Sequence, residues 1–141
     1  MIHTIGVAAL LSGFFAQLLK VMIHLLKTRQ LQLIKLLDNG GMPSSHTALV
    51  TTLTIGIGLE AGISSSLFSV ALIFSMYIIF EAAGLRQEVG NQARVLNELI
   101  DDLLVTHQLN RSRLKELVGH TWGEVGGGFL VGLAAALIAF Y

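Results

Sequence analysis

The chain contains no cysteine, which removes disulfides, thiolate nucleophiles and thiolate-held zinc or iron–sulfur groups from consideration. It has a single proline and a single tryptophan, and only 13% of its 141 residues are charged. That share is about half of what a soluble domain carries. Positive charge is not in excess either: nine Lys and Arg stand against nine Asp and Glu, a net charge of zero, which excludes nucleic acid as a partner. What fills the chain instead is hydrophobic residues, 53% of the total. A soluble globule of this composition would lack the polar surface to stay dispersed, so the sequence reads as an integral membrane protein with membrane lipid as its surroundings. The length allows one domain, residues 1–141.

The apolar residues fall into four blocks. The first, residues 5–26, is interrupted by Lys20 and His24. With no basic leader or small-residue cleavage site, it is expected to be a retained anchor rather than a signal peptide. The second, residues 47–61, is short for a span and carries Thr47, Thr51, Thr52 and Thr54. The third, residues 66–84, is the clearest span, and the fourth, residues 122–141, is long enough to cross a hydrocarbon layer of ~30 Å. The expected fold is therefore all-α, a bundle of about four transmembrane helices. Residues 86–119 hold most of the carboxylates, and within them Val89, Ala93, Leu96, Ile100 and Leu103 recur at helical spacing. This predicts one amphipathic helix that caps the bundle or lies at the interface; the alternative is a helix that pairs with a second copy, making a homo-oligomer. Residues 105–112 read as a loop.

Two stretches carry chemistry. In Asn39-Gly40-Gly41-Met42-Pro43-Ser44-Ser45-His46-Thr47, two glycines permit a tight turn, Pro43 suits an early helical position, and an apolar helix follows. The free N–H groups of a helix start, with Ser44 and Ser45 beside them, make a cradle for phosphate, and His46 would face the bound anion. Taken alone, this stretch is equally an ordinary helix cap with a surface histidine. In Leu114-Lys115-Glu116-Leu117-Val118-Gly119-His120-Thr121-Trp122-Gly123-Glu124, His120 and Glu124 are four residues apart and share a helical face. A carboxylate there fixes the imidazole tautomer and raises its basicity, as a nucleophilic or general-base histidine requires. A surface contact is the plainer reading of such a pair, but this one opens a membrane span, where ionisable groups are costly and tend to be functional. Cations flank the spans at Lys20, Lys27, Arg29 and Arg86; Lys27 and Lys35 read as interface anchors, whereas Lys20 precedes more apolar sequence. Two imidazoles, a hydroxyl-rich helix start and several cations suffice for phosphoryl transfer without a metal or other cofactor.

These residues resemble a known family. Gly40-Gly41-Met42-Pro43-Ser44-Ser45-His46-Thr47-Ala48, then Ala83-Gly84-Leu85-Arg86, Gln92-Ala93 and Leu96-Asn97, then Leu114-Lys115-Glu116-Leu117-Val118-Gly119-His120-Thr121, look like the divergent branch of the type 2 phosphatidic acid phosphatase and vanadium haloperoxidase superfamily. The resemblance implies phosphate contacts from Lys20, Arg29, Ser44 and Ser45, acid catalysis by His46, and a nucleophilic His120 oriented by Glu124. Lys27, seven residues after Lys20, competes with Arg29 for the second cation, and Arg86, Arg111 and Arg113 compete as further anion ligands. Glu124 stands where the superfamily has aspartate, and Ser45 where it has glycine.

Together these features imply a membrane phosphatase-like hydrolase acting on a phosphorylated amphiphile. A membrane protein that binds or moves phosphorylated lipid in the same pocket, without cleaving it, is the alternative. Gly128 and Gly132 form a small-xxx-small pattern expected to pack helices, and Trp122 and Tyr141 bracket the last span as interfacial anchors. All nine Lys and Arg lie within residues 20–41 and 86–119, which four spans place on one side of the membrane. The positive-inside rule makes that side the cytoplasm, so the pocket is expected to face the cytoplasm, in the plasma membrane.

Overall fold

The computed structural model describes residues 2–29, 40–104 and 120–141, with side chains over the same ranges except residues 2–3, 85–87 and 102–104. The expected loop at 105–112 lies outside the described residues, as do Lys35, Arg111 and Arg113. Among the described residues five α-helices follow one another: α1 (Ile2–Thr28), α2 (Ser45–Ala61), α3 (Ser66–Phe80), α4 (Arg86–Leu104) and α5 (Trp122–Phe140). A five-residue π-helical turn, Glu81–Leu85, joins α3 to α4 without a break. The fold is an all-helical membrane bundle. Among the described residues three helical stretches are long and apolar enough to cross a bilayer, Thr4–Thr28, Ser66–Asp101 and Trp122–Phe140. The fourth expected span, α2, has 17 residues, about 25 Å at 1.5 Å per residue, and sits among the other helices.

The termini of the helices sort to two ends. A Cβ on Gly56 would fall 2.7 Å from Ile5 and 2.9 Å from the Phe140 ring, and one on Gly58 would fall 3.0 Å from Phe68. The start of α1, the second half of α2, the start of α3 and the end of α5 therefore meet at one end. At the other end Ser44 N donates to Glu124 O at 3.0 Å and His120 N donates to Ala82 O at 2.9 Å, which gathers the start of α2, the π turn and the start of α5. Lys20, late in α1, reaches the same end beneath Gly41.

Small residues make the interior. Ala9, Ala16, Ala48, Ala71, Ala82, Ala83 and Ala136 are buried, whereas Leu10, Phe14, Phe74, Leu130 and Ile138 are exposed. This is what a bilayer selects: lipid tails are as apolar as leucine, so helices associate by close backbone approach and by hydrogen bonds rather than by hiding large side chains. On α2 the buried residues lie on all sides, Thr47, Ala48, Val50, Thr51, Thr52, Thr54 and Gly56. Its hydroxyls bind across helices: Thr52 Oγ1 donates to Gly132 O at 3.0 Å, and Thr54 Oγ1 lies 2.7 Å from Ser75 Oγ. Ser12 Oγ reaches Ala48 O at 3.2 Å from α1. Gly128 and Gly132 do pack helices, since a Cβ on either would stand within 3 Å of Thr47 or Thr51 on α2.

Of the apolar stripe on α4, Ala93 is buried while Val89, Leu96 and Ile100 are exposed, and Gly90 and Asn97 are buried beside Ala93. Among the described elements α4 packs chiefly on the π turn before it. One expectation needs correction: Pro43 is not an early helical residue. It precedes the N-cap Ser44, and α2 begins at Ser45.

Candidate active site

At the charged end of the bundle each candidate side chain is held by a different local device. Gly41 has φ 99°, a left-handed conformation that suits glycine, and its missing side chain leaves room for Lys20, whose Cδ would lie 3.3 Å from a Cβ there. Lys20 is 4% exposed, so its ammonium is carried into the end of the bundle rather than out to an interface. The chain then turns into α2, capped by Ser44 with an oxygen that accepts from Thr47 N at 3.3 Å and from Thr47 Oγ1 at 3.0 Å. Ser45 and His46 are the first two residues of α2 and are half-buried.

The second half of the site is the start of α5. Thr121 is the N-cap and Glu124 the third helical residue, and they form a reciprocal capping box. Thr121 Oγ1 accepts from Glu124 N at 3.3 Å, and Glu124 Oε2 accepts from Thr121 N at 3.0 Å. The same carboxylate oxygen lies 3.2 Å from His120 Nδ1. With the Nδ1 proton directed at the carboxylate, the tautomer left has its lone pair on Nε2. That Nε2 is buried and has no hydrogen-bond partner among the described residues. The His120 imidazole meets the His46 ring edge to face, with centroids 6.2 Å apart. Phe80 and Trp122 pack edge to face at 6.0 Å and tie the end of α3 to the start of α5 beside them.

The electrostatics favour a neutral His120. Burial is the largest influence and pushes its pKa below the ordinary value of 6.5; the Glu124 hydrogen bond and charge oppose it, while Lys20 and His46 push the same way as burial. A neutral imidazole with its Nε2 lone pair unprotonated, backed by a carboxylate, is the form a nucleophile needs. Among the described residues, no group of three or more His, Asp and Glu comes together as metal ligands would.

Lys20, Ser44, Ser45, His46, His120 and Glu124 thus converge on one end of the bundle. Arg29 does not join them: it is exposed just beyond α1, with φ 55°, about 13 Å further along the axis than Lys20 at 1.5 Å per residue. Lys27 is exposed as well. Arg86 opens α4 directly after the π turn, but its side chain, like all of Arg113 and Arg111, lies outside the described residues. Two contributors were not singled out from sequence. Thr121 was signalled by the spacing Thr-x-x-Glu, the capping-box pattern. Ala82, whose carbonyl anchors the His120 backbone, had no signal, because any residue offers a carbonyl.

Comparison with known proteins agrees with this architecture. No solved structure matches the chain. It is 38% identical over 145 residues to the uncharacterized membrane protein YuiD of Bacillus subtilis (strain 168), an alignment covering 95% of this chain and 92% of that one. The family model described as "Divergent PAP2 family" matches residues 2–135, which takes in both histidines, the glycine turn and the π turn. With nearly the whole chain matched by that model, the protein belongs to the divergent PAP2 family.

Proposed function

We propose that this membrane protein hydrolyses the phosphate monoester or diphosphate of a lipid or related amphiphile, using histidine chemistry that needs no metal. The observation that carries this reading is the His120–Glu124 pair, with its buried Nε2 left open and a second imidazole 6.2 Å away. Nε2 of His120 attacks phosphorus, the bond to the leaving oxygen breaks, and protonated His46 supplies that oxygen with a proton. Water then attacks the phosphohistidine, giving its proton to His46, so phosphate departs and both imidazoles return to their starting forms. Lys20 and the N–H groups at the start of α2 neutralise the phosphoryl oxygens, and Ser45 donates to them beside His46. Arg86 and Arg113 are the further cations proposed for the anion.

The pocket is proposed to open toward the cytoplasm at the plasma membrane. The charged segments, residues 20–41 and 86–119, hold all nine Lys and Arg and adjoin the end where both histidines sit. Phosphate release from purified protein, measured over a panel of lipid phosphates and diphosphates, tests the reaction. Release from at least one of them is expected. Tight binding with no release over hours would replace hydrolysis by binding or transport of phosphorylated lipid.

A further inference from the structure

A groove of about 190 Å³ runs between α1 and α2, lined by Leu10, Gly13, Phe14, Gln17, Ser45, His46 and Leu49. Its lining is graded. Gln17, Ser45 and His46 stand at the charged end, and Leu10, Phe14 and Leu49 lie deeper along the helices. On α1 the lining residues fall at i, i+3, i+4 and i+7, one helical face turned toward α2. Gly13 keeps the two helices close while leaving the floor open, since a Cβ there would stand 3.3 Å from Leu49 Cβ and 3.4 Å from Ser45 O. Leu10 and Phe14 are 65% and 59% exposed, so the groove opens sideways, within the stretch of α1 that crosses the membrane.

From this gradient we infer that the groove seats the first carbons of a single alkyl or isoprenoid chain, delivering the phosphate at its head to His46 directly from the bilayer. The inference rests on the hydrolase reading for the identity of the head but not for the path of the tail. A polar end that contains a reacting imidazole and an apolar floor that opens to lipid match an amphiphile in only one direction, head toward His46. The volume is below that of pockets which enclose a whole drug-sized ligand, typically ~300–1,000 Å³. The groove therefore takes the segment next to the head, and the rest of the chain stays among the lipids. Bilayer and groove are both apolar, so entry gains little hydrophobic free energy. The groove acts by alignment, holding phosphorus in register with the imidazoles.

The test uses an alkyl phosphate bearing a diazirine a few carbons from the head, and the matching alkyl alcohol, each photolysed with the reconstituted protein and mapped by mass spectrometry. Crosslinks from the phosphate should concentrate on Leu10, Phe14 and Leu49, while those from the alcohol spread over the lipid-facing sides of all the helices. Leu10→Trp should reduce crosslinking at Leu49 about tenfold by filling the groove, and Leu130→Trp, at an equally exposed position on α5 outside the groove, should leave it intact. Phosphate-probe crosslinks spread like those of the alcohol, or labelling at Leu49 unchanged by Leu10→Trp, would overturn the inference even if the protein releases phosphate. Groove labelling without phosphate release would sustain it and overturn hydrolysis instead.

Discussion

Glu124 has two duties at a single carboxylate oxygen: it closes the cap of α5 through Thr121 N and it holds Nδ1 of His120. Glu124→Gln keeps the shape but can present an amide N–H where an acceptor is needed, so turnover should fall by about 10²–10⁴, the scale seen when a histidine loses its orienting carboxylate. Thr121→Ala removes only the capping hydroxyl and should cost about 1 kcal/mol of stability, read as a lower Tm, with a much smaller loss of rate. The pH dependence follows from burial. Because the folded protein holds the His120 proton less tightly than the unfolded chain does, the acid limb of kcat/KM should fall below pH ~6.5, and the folded state should lose stability as pH drops through that value. Glu124 is what raises the His120 pKa, so Glu124→Gln should move the NMR titration of the His120 ring lower still. An unchanged titration would show that the pair is not formed. Among the cations, Lys20→Ala should abolish stabilisation by vanadate, whereas Arg29→Ala, at an exposed site away from the imidazoles, should leave it.

At the scale of helices, α5 packs on α2 through glycine, and the two faces of α5 should respond differently to a single methyl. Gly132→Ala places a Cβ 2.7 Å from Thr51 Cβ and 2.5 Å from the Ala48 carbonyl, so it should cost about 1–3 kcal/mol and lower the Tm. Gly126→Ala, with nothing within 4 Å, should be neutral or slightly stabilising. This packing was legible in the sequence because small residues four apart have few other uses in a span. On α4 the helix was legible from its apolar stripe, but not every buried position was: Ala93 of the stripe is buried, and so are Gly90 and Asn97, which hydrophobic spacing does not mark. The His120–Glu124 pair was legible for a different reason: the two residues interact within one turn, so their spacing alone brings them together. The approach of Lys20 to the site depends on how α1 packs below Gly41, and the π turn that presents the Ala82 carbonyl has no local composition to announce it. Both are tertiary facts.

For the whole molecule, the sorting of helix ends means that one face of the membrane holds His46 and His120 and the other holds the α2–α3 turn. If the charged end is cytoplasmic, a cysteine introduced at exposed Ile63 should react with an impermeant thiol reagent in intact cells, and one at exposed Gln92 on α4 should be protected. The native chain contributes no cysteine to the background, and the reverse pattern would invert the orientation. The proposed hydrolysis depends on His120 Nε2 being the atom that attacks phosphorus. The direct test is phosphate release from a lipid phosphate by purified wild-type protein and by His120→Ala, side by side with EDTA present. The wild type should turn over undiminished by the chelator, while His120→Ala, folded by its Tm, should release no phosphate above background. Full activity in His120→Ala, or wild-type activity lost to EDTA and restored by a divalent ion, would contradict the mechanism.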